Sequence, residues 1–345
     1  HTVYLQYCIR DLAASFEAKG ARTRILMEEA DHHKLSAITY LQVFREFRPD
    51  MVFIIDHHRS EYKNIVPENV PYVCWVQDLL PNLYCRQAGE SLGPMDFYIT
   101  SDFQTLVTRH AYPASQGLSW NTVTDHRLYS NERLPDEELA PYRCDFSYVS
   151  NQSRSPAEFL AERMVSLKAD SMICRVMTLA YEDLLQSILL EPRSACGAIK
   201  EYLNRAMERV GISSLSQPVE DTLLTGFLYP LSELMFRQNA LEWVADYCDR
   251  TGRTLHLYGN GWDRHPRFSK YARGFMENGR PLRALHQASK VNLQIIATGA
   301  MHQRLLDGLA AGGFFLLRYT PTDVIQEPAE HLIEVVDRMR PEDGR

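Results

Sequence analysis

Arg304 and Asp307 stand three residues apart in HQRLLDGLAAGG, directly after the Thr298 to His302 stretch that carries Gly299. A guanidinium can hold a phosphate through charge-assisted hydrogen bonds worth roughly 1.5–3 kcal/mol, and a carboxylate can accept from the hydroxyls of a sugar. On a helix, that spacing puts both side chains on one face. A helix beginning near Met301 also aims unpaired N–H groups and the positive end of its dipole at whatever lies before it, so Gly299 and His302 would border an anion site. A surface ion pair on an ordinary connecting helix is the competing reading, and spacing leaves both open.

A second set of reactive side chains ends the apolar runs of the amino-terminal half. Met51 to Ile55 runs into Asp56, His57 and His58, Tyr72 to Val76 into Gln77 and Asp78, and Asp96 to Thr100 into Ser101 and Asp102. Carboxylates and imidazoles in a cleft can take a proton as general bases. Asp78 and His57 are the candidates for that role, with Asp56 and Asp102 on the acceptor side. Capping of the helices that follow is the competing use of Asp56 and Asp78. Adjacent histidines at a strand end point opposite ways, so no metal site is expected there.

Gly259, Asn260 and Gly261 follow the apolar run TLHLY. Glycine permits positive φ and lets a ligand approach the backbone, and a plain tight turn has the same signature. The full dinucleotide fingerprint GxGxxG is missing, which counts against a nicotinamide dehydrogenase. Lys290, immediately before a buried strand, and Arg280 and Arg283 add cations near the Thr298 turn. Each is solvated surface charge by default, but a sugar-nucleotide enzyme without a metal needs such charges to offset a leaving diphosphate.

The elements that must position these groups follow from apolar periodicity. In Lys290 to Tyr319, Val291 to Ile296 reads as a strand buried on both faces. A glycine turn follows, then a helix with Leu305, Leu306, Leu309 and Ala310 at helical spacing, the stop Gly312-Gly313, and a second buried strand, Phe314 to Leu317. This is the parallel unit of an α/β sheet, whose ligands sit beyond the carboxyl ends of the strands.

Upstream, a first helix ends at Gly20, Thr23 to Met27 reads as a strand, and Leu35 to Phe47 as a helix stopped by Pro49. Three further strands, Met51 to Ile55, Tyr72 to Val76 and Asp96 to Thr100, and a helix over Leu106 to His110 follow, with Gln116 to Trp120 as the last strand. The acidic, proline-bearing stretch Asn131 to Pro141 reads as a linker. The expected domains are therefore 1–140, Rossmann-like and lacking its first strand, and 141–345, Rossmann-like with a helical insertion over about 156–249. The chain opens in a helix where such a domain would have a strand, and both ends read as cut.

With 345 residues, 45% of them hydrophobic and 23% charged, the chain can bury two cores. A formal charge of −7 argues against a nucleic-acid partner held by bulk electrostatics, and no apolar run approaches a membrane span. Seven scattered cysteines without a CxxC pair suggest reduced thiols and a cytoplasmic location.

The segments YGNGW (Tyr258 to Trp262), LHQASKVNLQI (Leu285 to Ile295) and HQRLLDGLAAGGFFLL (His302 to Leu317) resemble the carboxyl-terminal half of the CgeB-like, spore-maturation-type GT-B glycosyltransferases. DFSYVSN at Asp145 to Asn151 resembles the strand that opens that domain, with Ser150 where a glycine is common. IIDHHRSEY and VPYVCWVQDLLPNL resemble the amino-terminal domain. The resemblance implies a GT-B fold, with two Rossmann-like domains facing across a cleft and a nucleotide-sugar donor held by the second. It implies Arg304 at the diphosphate, Asp307 at the ribose, Gly259 to Gly261 lining the donor cleft, and Phe275 and Met276 near the base. It also implies no bound metal and no cofactor, with a UDP-sugar as the expected donor. From the sequence the leading expectation is a metal-independent glycosyltransferase acting on an unknown acceptor. The alternatives are a non-catalytic GT-B-like module that binds nucleotide or glycan or assists assembly, and a sugar-nucleotide epimerase.

Overall fold

The computed structural model describes residues 2–28, 35–62, 65–120, 123–190, 199–297 and 301–318. The chain divides into two compact units, His1–Val123 and Thr124–Arg345. Each is an α/β unit built on a four-stranded, wholly parallel sheet. Among the described residues no helix is long and apolar enough to cross a membrane.

In the first unit the strands β1 (Val52–Ile55), β2 (Tyr72–Val76), β3 (Asp96–Thr100) and β4 (Gly117–Ser119) lie in chain order. Both faces of β2 are apolar, as burial between two layers requires. Tyr72, Cys74 and Val76 pack with Tyr98, Leu106 and Tyr112 in one core, while Phe53, on the other face, meets Phe16 of the helix Thr2–Ala18. The helix Ala37–Phe47 starts at Ser36, whose hydroxyl accepts from the Thr39 N–H, and stops at Arg48, whose φ of 49° turns the chain before Pro49. Thr23–Met27 is not a strand. Its residues have the β-forming composition, but among the described residues β1 is paired only with β2, and a run without a ladder partner has no sheet to join.

In the second unit the strands β5 (Cys144–Val149), β6 (Leu255–Tyr258), β7 (Ser289–Gln294) and β8 (Phe315–Leu317) lie in the order β6-β5-β7-β8. The order reverses at β5, which places a topological switch point between β5 and β7. Between β5 and β6 the described elements are helical, as the periodicity requires: Pro156–Ser166, Ser171–Leu190, Ile199–Arg209, Gln217–Leu223 and Tyr229–Thr251. These helices have a core of their own, in which Val176, Leu184, Leu203, Ala206, Phe227 and Leu228 are almost fully buried. Each of the larger of these side chains contributes about 1.5–3 kcal/mol by leaving water.

The second unit begins at Thr124, before the acidic stretch where composition placed the boundary. That stretch is not a free linker, because it is bonded to the unit that follows. The Leu134 N–H donates to Gln287 Oε1 at 2.9 Å, and Arg280 makes two bonds to Glu138 at 2.6 and 2.7 Å; just before the stretch, the Tyr129 hydroxyl accepts from the Gly279 N–H at 3.0 Å.

A buried polar hub fixes the sheet against the helix Arg280–Ala288. Asn292 on β7 accepts at Oδ1 from the Ser147 hydroxyl at 2.9 Å and from His286 Nδ1 at 3.0 Å, and its amide donates to the carbonyls of His286 and Phe314. The carboxamide oxygen only accepts, so the proton of His286 sits on Nδ1, and Nε2 is buried without a partner. Burial, opposed by the Asn292 bond and assisted by the charge of Arg304, pushes this imidazole down from 6.5 to about 4. A histidine held below its unfolded value contributes stability that is complete above pH 6.5 and is lost as the pH falls toward 4. His286 should therefore contribute about 1.4 kcal/mol per pH unit to the fall of the unfolding free energy, read by urea titration, in that window. In His286→Gln the slope should be shallower, and an unchanged slope would show that His286 does not carry it.

Candidate functional site

The helix Gln303–Ala310 follows β7 and starts at the switch point. His302 is its N-cap: the backbone is extended, and Nδ1 accepts the Arg304 N–H at 3.1 Å. This assigns the proton to Nε2. Burial first, and then the charges of Arg304 and Arg237, push the imidazole far down, to about 3, so it is neutral. One of the N–H groups expected to face an anion is thus taken by the chain's own side chain.

Arg304 and Asp307 share a helix and diverge. The Arg304 guanidinium lies 5.3 Å above the Tyr148 ring on β5, and Nη1 donates to Gln294 Oε1 on β7 at 3.0 Å. It sits over the two strands that define the switch point. Asp307 is buried, and Oδ1 accepts from the Thr124 hydroxyl and from Gln303 Nε2, both at 2.6 Å. Its carboxylate binds the segment that opens the unit, a use that spacing could not foresee because Thr124 is remote in sequence. Gly299, like Thr298, lies outside the described residues.

Gly259, Asn260 and Gly261 form the loop after β6 and bind it to the loop after β5. The Asn260 N–H donates to Asn151 Oδ1 at 2.9 Å, and its carbonyl accepts the Gln152 N–H at the same distance. Gly259 has φ +131°, and a Cβ there would stand 2.3 Å from the Ser150 carbonyl oxygen. The close approach that demands glycine is therefore one of chain to chain. At Gly261, φ is +91° and a Cβ would meet Gln152.

Lys290 belongs to the opposite edge of the sheet. It lies at the amino end of β7 and bonds to Asp145, at the amino end of β5, at 2.8 Å. This removes it from the group at the carboxyl ends: directly before a buried strand means at the wrong end of it. Arg280 and Arg283 are held by Glu138 and by the Glu132 carbonyl. Met276 is packed with Tyr129, Tyr258 and Leu285 in the core, so it has no face for a base, whereas Phe275 beside it is exposed.

A cavity of about 600 Å³ opens at the carboxyl ends of β5 and β6. Its polar wall carries Gln152, Ser153, Arg154, Arg237 and Arg264, and its apolar wall Leu241, Trp262 and Phe268. Arg237 was not distinguished by sequence, since it lies mid-helix in the insertion. Its signal is Glu233, one turn earlier. The Glu233 carboxylate accepts the Ala297 N–H after β7 at 2.9 and 3.0 Å, and Arg237 Nη1 donates to Ser153 Oγ after β5 at 2.6 Å. One helical turn clamps the two loops that flank the switch point.

In the first unit the two histidines part as expected. His58 is buried, and its Nε2 lies 2.6 Å from the Tyr112 hydroxyl, which itself lies 2.7 Å from the Leu83 carbonyl; burial lowers its pKa. His57 is exposed, and its Nδ1 lies 2.9 Å from Glu61 Oε2. Glu61 also accepts from the His58 N–H and from Asn82. An imidazole oriented by a carboxylate at Nδ1 is the arrangement a general base needs. Asp56 has φ +60° and is buried. Its Oδ1 caps the Gln77 and Asp78 N–H groups at 2.7 and 3.1 Å, and burial raises its pKa to about 6. Burial also raises Asp78. Asp102 stands at the N-cap of the helix Phe103–His110 without a side-chain capping bond. Among the described residues no group of three or more His, Cys, Asp or Glu side chains could hold a metal.

Comparison with known protein families, with curated proteins and with solved structures returns no match for the chain.

Proposed function

We propose that the chain is a GT-B glycosyltransferase that moves a hexose-type sugar from a nucleotide-diphosphate donor, with a UDP-sugar as the expected one, to an acceptor hydroxyl without a bound metal. The observation that carries this reading is the cationic carboxyl edge of the second sheet, where Arg304 lies over β5 and β7 and Arg237 on the insertion is bonded to Ser153 in the loop after β5. Preorganised cations at such an edge stabilise charge that develops on a leaving diphosphate. The resemblance to the CgeB-like family supports the same assignment. In this reading His57, oriented by Glu61, or Asp78 takes the acceptor proton.

The test is an assay of the chain with UDP-, GDP- and dTDP-sugars, following donor hydrolysis and transfer, with and without EDTA. Turnover of one donor, unchanged by EDTA and with its affinity reduced about 10- to 100-fold in Arg304→Ala, is the expected outcome. Full affinity and turnover in Arg304→Ala would remove that residue from the site. The internal commitment of Asp307 to Thr124 and Gln303 favours a second reading, a module that binds nucleotide or glycan without catalysis. That reading predicts nucleotide binding without donor hydrolysis.

A further inference from the structure

The cavity beside β5 and β6 carries an unbalanced charge. Arg154 is paired with Glu162, and Glu158 is turned to the Ser155 N–H and hydroxyl in a capping box. Burial lowers the pKa of His265, and its ring Nδ1 accepts the N–H groups of Arg267 and Phe268. Arg237 and Arg264 are in no ion pair among the described residues, and Arg237 Nε is buried without a hydrogen-bond partner. A guanidinium that is half-buried and unmatched by a carboxylate is costly unless an anion completes it. The cavity's volume falls in the range of small-molecule sites.

Arg237 is also the better-presented of the two switch-point arginines. Arg304 is laid on the Tyr148 ring and bonded to Gln294, whereas Arg237 lines the cavity and is held there through Nη1 by Ser153. We propose that this cavity binds the diphosphate-class part of the ligand, with Arg237 of the helical insertion as its central cation and Arg264 as a second. This deepens, and rests on, the reading of the chain as a user of nucleotide diphosphates. The insertion is then part of the ligand site: Ser153 sets the guanidinium's orientation, and the guanidinium donates to anionic oxygen from a planar, fixed geometry that a lysine could not match.

The test is isothermal titration of the whole chain with inorganic pyrophosphate, inorganic phosphate and UDP, without added metal. Pyrophosphate and UDP should bind and compete, with phosphate weaker. Arg237→Ala should weaken pyrophosphate at least tenfold, and Arg237→Lys should recover only part of the loss. Arg264→Ala, at an exposed position where folding is not at stake, should cost a few-fold. Lys290→Ala, at the far edge of the sheet, should change nothing. Absence of pyrophosphate binding, or binding indifferent to both Arg237→Lys and Arg264→Ala, overturns the assignment. Arg237-dependent pyrophosphate binding with no sugar turnover would leave this site standing and remove the glycosyltransferase reading instead.

Discussion

Gly259→Ala should lower the melting temperature of the second unit by about 5–15 °C. Two costs combine. At φ +131° an L side chain is strained by about 1–3 kcal/mol, and the new Cβ would stand 2.3 Å from the Ser150 oxygen, 2.6 Å from its carbon and 2.9 Å from the Asn151 nitrogen. All three are backbone atoms, so relief requires the loops after β5 and β6 to part, at about 1–3 kcal/mol more. The parting would pull Gln152 and Gly261 from the cavity wall, so pyrophosphate binding should fall with stability. Gly274 is the control: φ is +81° and nothing lies within 4 Å of its Cβ position, so Gly274→Ala carries only the conformational cost, about 1–2 kcal/mol. Equal melting shifts for the two variants, read by calorimetry, would show that the approach at Ser150 is looser than described.

Asn292→Ala should cost about 3–5 kcal/mol, the largest effect expected of a polar residue here. It removes both acceptor bonds at Oδ1 and both amide donors. The Ser147 hydroxyl and the His286 Nδ1–H are left buried without partners, at about 1–3 kcal/mol for each orphaned group. Ser147→Ala removes one donor and orphans nothing that His286 does not still satisfy, so about 1 kcal/mol is expected. Urea titration of the two variants gives the comparison. A smaller loss in Asn292→Ala than in Ser147→Ala would mean that water or a neighbour replaces the asparagine.

Much of this fold was legible because the buried runs are short and cleanly bounded. Tyr72 to Val76 and Asp96 to Thr100 are strands over the residues expected, and Gly312 ends the helix after β7 with φ +83°. The insertion was legible from helical spacing and the lack of a strand-length apolar run. What could not be read was pairing. Thr23–Met27 has strand composition without a ladder, and Lys290 looked close to the Thr298 turn because proximity along a strand says nothing of which end a side chain serves. The candidate site was half legible. Residues after strands, such as His57, Arg304 and Gly261, were marked by their position, whereas Arg237 acts from within a helix and Asp307 is consumed by Thr124, and neither fact has a local signature.

The placement of β6 beside β5 has a kinetic consequence. These neighbours, the edge strand β6 and the inner strand β5, are joined by bonds between residues 109 apart, such as Asn260 to Asn151. Closing so long a loop costs only about 0.6 kcal/mol more than closing one half its length, so the penalty falls on the rate of folding rather than on final stability. The contacts around Leu203 and Phe227 within the insertion are nearer in sequence than those that pair the two strands. Pairing of β6 with β5 is therefore a step on which the topology places a large rate penalty.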